Sequence, residues 1–422
     1  MRSAPGALRT PMRKRIIKAK YLAIAAASLI SLNAFAQNDS HFNFYGSIRN
    51  YIFADTHTKN VAGIADMFYY LPEDDEGNQM TFNFANITSR VGVDVTGYEF
   101  NGVRMGARVE TDFYGGFSGS TGVAMLCLRQ AYLTLDWTGK RGTVQTFKMG
   151  QDWHPLSADM PETVSHNTGS PFNPFSRTPL AQYEAWVQDN LSFTAAAIWQ
   201  MQYASCGPEG ASANYVRYCG IPELYAGVNY TNGGFLGRFG IDITSIKPYR
   251  DSKILGGALL FVFGQYKKDL LTVKAKTVFG NTGSQMNMST GYAVSSFGKL
   301  SDVSTYEFTS TRHSTSWVNV SYGKKIVASL YAGYIRNFGT SREIVTTDLM
   351  WFGKNSFPTL NRGYRIAPQV IFNWGKLALA IEVEHTGAQY GKGNINYSNG
   401  LYDQNLHWVS NTRIQSMVKF TF

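Results

Sequence analysis

From Phe42 to Phe422 the chain repeats one pattern, short runs in which apolar and polar residues alternate with a period of two. That period belongs to a β-strand, whose successive side chains point to opposite faces. It is clearest over 103–113. There Val103, Met105, Ala107, Val109 and Phe113 share one face, and Arg104, Gly106, Arg108, Glu110 and Asp112 share the other. One such run fits a soluble sandwich as well as a barrel with its apolar face in lipid. The whole set separates the two. About 16 runs are read, each near the ~9–11 residues a tilted membrane strand needs. Their connections alternate between short (97–101, 138–141, 188–190, 231–234, 267–269, 323–325 and 375) and long (56–81, 152–180, 204–216, 281–303, 339–362 and 387–406, with shorter loops on the same side at 115–122 and 247–252). Several short ones carry turn chemistry, such as Asn232-Gly233-Gly234. The expected fold is therefore all-β: a transmembrane antiparallel β-barrel with long extracellular loops on one rim and short periplasmic turns on the other. A sandwich has no reason to sort its connections this way.

The N-terminal residues agree with export. Arg13, Lys14, Arg15, Lys18 and Lys20 precede an uncharged, mostly apolar stretch over 21–32, and Ala34-Phe35-Ala36 follows as a small-x-small cleavage site. This order predicts a signal peptide over 1–36 and a single barrel domain over 37–422. The apolar stretch is shorter than the ~20 residues that span a bilayer as a helix. No later segment is long and apolar enough for a helical span, so membrane residence requires a barrel. Seven of the 39 basic residues lie in the leader, which has no acid, so its removal lowers the net charge from +10 to +3. No basic face or motif for nucleic acid is present, and nucleic acid is excluded as a partner. A mean hydropathy of −0.20 suits a barrel, because only alternate residues meet lipid.

In the last run Ile414, Ser416, Val418, Phe420 and Phe422 share one face. Phe420 and the terminal Phe422 resemble the C-terminal signal of bacterial outer-membrane barrels. The expected partners are thus outer-membrane lipid and the barrel-assembly machinery; an ordinary edge strand ending on Phe is the alternative. Tyr45, Tyr51, Tyr114, Trp137, Trp153, Trp199, Tyr230, Trp351, Trp374 and Trp408 stand near strand ends, where interfacial girdles form.

If the apolar faces meet lipid, the opposite faces line a lumen. Arg49, Arg90, Arg104, Arg108 and Arg129 would form a positive wall on four consecutive strands, with Asp94, Glu110 and Asp112 among them. Fixed charges set ion preference in pores; mutual neutralisation by the three acids is the competing reading. Arg129 fits less well, since Leu133 and Leu135 share its face. The third long connection, 152–180, is rich in proline and carries Leu156, Met160, Phe172 and Phe175. Long ordered loops are usually functional. This one is expected to fold into the barrel, with Asp152, Asp159 and Glu162 facing the arginines; packing over the rim or against a neighbouring subunit is the alternative. Cys206 and Cys219 flank a Gly/Ser/Ala/Asn-rich stretch and are expected to form a loop disulfide, with Cys127 free. No His or Cys spacing supports a metal, and no cofactor is expected.

Phe-Tyr-Gly-Ser-Ile-Arg at 44–49, Ser-Arg-Val-Gly at 89–92, Val-Glu-Thr-Asp-Phe at 109–113, Leu-Arg-Gln-Ala-Tyr at 128–132 and Met-Gly-Gln-Asp-Trp at 149–153 resemble the signatures of DcaP-like trimeric porins. The resemblance covers mainly 42–153. It implies a homotrimer of barrels in the bacterial outer membrane, an inward third loop, and passive diffusion of small hydrophilic, anionic solutes past basic residues. Arg49, Arg90, Arg108 and Arg129 match by position. The sequence departs from the pattern at Cys127, where a second arginine of an Arg-x-Arg pair is expected. It also enters the first strand by about His41, without the periplasmic coiled coil of some members. A plugged structural or adhesive barrel is the main rival. A barrel hydrolase needs a nucleophile-base-acid set; no Gly-x-Ser-x-Gly or His-Glu-x-x-His motif is present, so no enzymatic activity is expected.

Overall fold

The runs of period two become strands whose apolar faces all point outward from one closed sheet. The computed structural model describes residues 41–57, 71, 73, 79–118, 123–353 and 356–422. The expected signal peptide and most of 56–81 lie outside the described residues. The strands are β1 (Phe42–Asp55), β2 (Thr81–Ala85), β3 (Arg90–Phe100), β4 (Val103–Ser118), β5 (Val123–Thr138), β6 (Val144–Trp153), β7 (Arg177–Gln188), β8 (Leu191–Ile198), β9 (Glu223–Asn232) and β10 (Phe235–Ile246). They continue as β11 (Leu255–Lys268), β12 (Leu271–Gly280), β13 (Gly291–Ser296), β14 (Glu307–Gly323), β15 (Ile326–Thr340), β16 (Met350–Phe352), β17 (Leu360–Trp374), β18 (Leu377–Tyr390) and β19 (His407–Thr421). Each barrel strand pairs antiparallel with its sequence neighbours, and β1 pairs with β19 from Ser47↔Thr421 to Asp55↔Arg413, which closes the ring.

The barrel has 16 strands. β2 and β3 are two halves of one of them: the upper part of β1 pairs with β2 and the lower part with β3. At the break the Ser89 hydroxyl accepts the Arg49 backbone N–H at 2.9 Å, replacing a missing rung of the ladder. β13 and β16 stand outside the ring and extend the upper end of β14 into a small extracellular sheet. It packs on an apolar cluster with Tyr292, Phe308 and Trp351.

The seam is tight. Gly46 and Phe422 exchange both backbone hydrogen bonds, at 3.1 and 3.0 Å. A Cβ on Gly46 would lie 2.5 Å from the Phe422 ring and 2.8 Å from the Arg90 carbonyl oxygen, so only glycine fits. The turns at the opposite rim from the long loops use residues with positive φ, among them Asn101, Gly102, Gly233, Asp269 and Gly375.

Outward faces are apolar along the strands. Phe44, Ile52, Phe82, Leu330, Ile381 and Ile414 are all more than two-fifths exposed. A water-soluble surface does not carry so much contiguous apolar area; a bilayer covers it. Trp137, Tyr230, Trp374 and Trp408 lie on this outer side, but not every expected girdle residue does. The inward face of β1 carries Tyr45 and Tyr51, and Trp153 stacks inside against Arg129 and Arg177. Trp351 belongs to the extracellular cluster.

The expected strand over 217–230 begins only at Glu223, because Asn214–Cys219 forms a short helix, α1, ended by Gly220 at φ 69°. This also corrects the disulfide. Cys206 and Cys219 are both free thiols, as is Cys127. Cys206 is buried in the apolar cluster with Tyr215 and Tyr292, while Cys219 sits at the far end of α1. Burial pushes the Cys206 thiol up to about 11.

Candidate functional site

The inside of the barrel has two unlike walls, and the third loop makes the difference. The loop proper spans 154–176, because Asp152 and Trp153 still belong to β6 and Arg177 opens β7. It runs along the inward faces of β9 to β18. Its start is braced by His154, whose Nε2 lies 2.8 Å from Glu223 on β9 and 3.5 Å from Asp242 on β10. His154 Nδ1 accepts the Leu156 N–H at 3.1 Å, so the ring proton sits on Nε2 and is donated to Glu223. His154, Glu223 and Asp242 are close enough to hold a metal ion. A protonated Nε2 offers no lone pair to one, and the group acts as a hydrogen-bonded brace.

Farther along, backbone N–H groups of Val164 and Ser165 donate to Glu382 at 2.8 and 3.0 Å. The Asn167 amide donates to Glu384 at 3.0 Å, and Arg365 donates to the Ser170 carbonyl at 2.6 Å while lying over the Phe172 ring. Trp317 and Lys276 both donate to Asn173, each at 3.0 Å. Leu156, Phe172 and Phe175 join inward-facing residues of the barrel in its largest apolar cluster. At 165–167 the loop reaches β1, where His166 packs against Tyr51 and Phe53. The segment after β12, read from sequence as an exposed loop, also turns inward. The Met286 carbonyl accepts the Phe175 N–H at 2.9 Å, and Gln285 donates to Glu223 at 3.1 Å.

The expectation that the loop acids face the arginines is corrected. Asp159 pairs with Arg238 on β10 at 3.2 Å, and Glu162 with Lys274 on β12 at 2.9 Å. Both turn to the wall the loop lies against, where short bonds are available. Asp152 stays on β6 and pairs with Lys148 at 2.6 Å.

The other wall runs from β19 through β1 and β3 to β7. Arg49, Arg90, Asp94, Arg104, Arg108, Glu110 and Asp112 all take the inward parity of their strands. Asp94 and Arg108 are cross-strand partners joined by a bidentate pair at 2.6 and 2.8 Å. Gly92 leaves room beside them for the Tyr45 ring, over which Arg108 lies at 5.4 Å. Arg129 is explained by a bulge. Gln130 pairs with Glu110 but Leu128 with Thr111, so Arg129 is the extra residue and the face inverts there. The bulge aims Arg129 at both acids, Glu110 at 2.7 Å and Asp112 at 2.6 Å. Arg90 has only a looser share of Glu110, at 3.5 Å.

Three cations on this wall have no carboxylate partner among the described residues, Arg49, Arg177 and Lys419, whereas Arg104 stands directly opposite Glu99 on one side and Asp136 on the other. Arg49 donates to the Tyr51 hydroxyl, at 3.3 Å, and Arg177 to Gln202 while lying over the Trp153 and Phe175 rings. Lys419 lies directly opposite Arg49 across the β1–β19 ladder, and Arg90 is opposite Ser47, two residues away. Sequence reasoning passed over Lys419 and Arg177. Lys419 shares the inward parity of Arg413 and Gln415, which was readable; Arg177 had no signal, since it sits where the loop rejoins the barrel.

No family model and no curated protein matches the chain. Solved structures do. The outer membrane channel DcaP of Acinetobacter baumannii is similar with a TM-score of 0.67 and 16% identity, over 93% of this chain and 100% of that one. OmpF of Salmonella typhi, in complex with daunomycin, gives 0.55 and 12% over 92% and 99%. An anion-selective porin from Comamonas acidovorans gives 0.53 and 11% over 90% and 99%. At these identities the likeness is one of fold: the chain has the DcaP-like, 16-stranded barrel fold of outer-membrane porins.

Proposed function

We propose that the protein is a passive diffusion porin of the bacterial outer membrane that favours small hydrophilic anions. The carrying observation is the wall on which Arg49, Arg177 and Lys419 have no carboxylate partner among the described residues, while the loop acids are bound to the opposite wall. A solute passing between the two meets uncompensated positive charge. The likeness to DcaP, a channel, and to an anion-selective porin supports the same reading. The reading assigns transport and no catalysis.

The test is single-channel conductance of the purified protein in a planar bilayer under a salt gradient. Steady conductance with an anion-favouring reversal potential is expected; a cation-favouring potential refutes the preference. A plugged barrel is the second reading, favoured by the apolar cluster that the third loop builds inside. Absence of conductance from protein whose unboiled and boiled forms migrate differently selects it.

The reading also makes the protein a homotrimer, as the resemblance of the motifs over 42–153 to those of DcaP-like trimeric porins implies. Chemical cross-linking in detergent that yields only monomer overturns that part. Phe420 and Phe422, outward at the seam, serve as the assembly signal; replacing both with Ser is expected to lower the folded, membrane-inserted fraction.

A further inference from the structure

Outside the barrel, three arginines stand where an apolar surface ends. Arg312 on β14, Arg336 on β15 and Arg362 on β17 are all exposed and share the outward parity of their strands. Toward the periplasm that face becomes apolar: Val318, Val320 and Tyr322 on β14 after Ser314 and Ser316, Leu330 and Tyr334 on β15, Ile366, Val370 and Trp374 on β17. Each arginine lies about ten residues along its strand from the periplasmic end, the length that crosses a bilayer. Arg336 and Arg362 are therefore at the extracellular edge of the apolar band, and Arg312 stands just above them, since Ser314 is the residue opposite Arg336. In their extracellular halves the other described barrel strands place no Arg or Lys on the outward face.

Arg336 and Arg362 are directly opposed across the β15–β17 ladder. Like charges in that position repel, yet no carboxylate pairs with any of the three among the described residues. The side chains are nevertheless held on the surface. The Arg336 guanidinium lies 5.2 Å from the Phe338 ring centre. Arg362 donates to Gln389 at 2.8 Å and lies 5.5 Å from the Trp408 ring centre. Arg312 donates to the Phe338 and Thr340 carbonyls at 3.4 Å. Placed guanidinium groups without counter-charge, beside an aromatic edge at the headgroup level, match the phosphate of a lipid whose chains lie along the band below.

We propose that Arg312, Arg336 and Arg362 form a docking site for the phosphate group of a phosphorylated lipid in the outer leaflet. The lipid supplies the missing charge between Arg336 and Arg362, and its chains cover the apolar faces of β14, β15 and β17. This surface is separate from the lumen and does not depend on what the lumen carries.

The test uses the full protein, delipidated in a zwitterionic detergent, with phosphatidic acid and phosphatidylcholine of matched chains as probes and native mass spectrometry as the readout. Phosphatidic acid is expected to be retained about a hundredfold over phosphatidylcholine, from roughly 1 kcal/mol for each of the three basic residues at a charged lipid surface. The preference is expected to fall to near unity in the Arg312→Gln, Arg336→Gln, Arg362→Gln variant and to survive in the Arg336→Lys, Arg362→Lys variant. Equal retention by the native protein, or an undiminished preference in the Gln variant, overturns the site. A salt titration of the native protein needs no variant: rising NaCl must release phosphatidic acid and leave phosphatidylcholine. Release of both alike overturns the proposal, as does displacement by glycerol phosphate as effective as by the lipid, which would mean a site for free phosphate.

Discussion

The two inner walls of the barrel carry similar residues put to different uses. On the wall from β9 to β18, Arg238, Lys274, Lys276 and Arg365 each hold a part of the third loop: Asp159, Glu162, the Leu156 carbonyl and the Ser170 carbonyl. On the wall from β19 to β7, Arg108 and Arg129 are matched by Asp94, Glu110 and Asp112, and Arg104 stands opposite Glu99 and Asp136, while Arg49, Arg177 and Lys419 are left unmatched among the described residues. The charge of a lumen residue is thus a poor guide to its role. A cation facing a buried loop is a structural part, and removing it strands its partner away from water. On the other wall Arg49 and Arg104 are partly exposed, so their loss alters the field more than the fold, whereas Arg177 and Lys419 are buried.

The contrast can be broken most severely at Arg365. Arg365→Leu leaves Glu384 and Glu382 buried beside the loop without their cation, and the expected cost is about 3–5 kcal/mol. The temperature at which the unboiled form converts to the boiled form measures it; an unchanged temperature would remove the structural role of this wall. Asn173→Ala takes one acceptor from both Trp317 and Lys276 and is expected to cost about 1–3 kcal/mol. Since the loop is loosened without loss of the barrel, noisier single-channel current should accompany it. On the other wall, Arg49→Gln with Lys419→Gln should leave the conversion temperature nearly unchanged. It should lower the anion-to-cation permeability ratio about fivefold, the size of ~1 kcal/mol. The smallest effect is expected from Glu110→Gln, which partly frees Arg90 and Arg129. The ratio should rise by less than about threefold in 0.1 M salt and return to the native value in 1 M salt, where the screening length falls from ~10 to ~3 Å. A fall in the ratio at low salt would count against the arginine wall.

Most of the barrel was legible because alternation is a local property. The parity of Arg90, Asp94, Arg104, Arg108, Glu110 and Asp112 follows from their neighbours alone. Arg129 was ambiguous for the same reason: a bulge inverts the parity, and nothing in Leu-Arg-Gln-Ala-Tyr announces the extra residue. The pair Glu382 and Glu384, two residues apart on an alternating strand, was readable as inward-facing but not as the seat of a loop more than 200 positions earlier. Asp159 and Glu162 were expected to seek the arginines because those were the cations in view. Their actual partners, Arg238 and Lys274, are set by the path of the loop, which rests on bonds between distant segments. Cys206 and Cys219 looked like a pair from spacing, and the burial of one under Tyr292 separates them.

The seam has a consequence for the order of events during folding. β1 emerges early and its partner β19 lies at the far end of the barrel sequence, with Ser47 meeting Thr421. Contacts so remote in sequence form slowly. Until they do, β1 presents an open edge of unpaired N–H and C=O groups, a template for pairing with any other extended chain. The close fit of Phe422 over Gly46 is then a final latch, and the time spent before it shuts is when the protein is most exposed to aggregation.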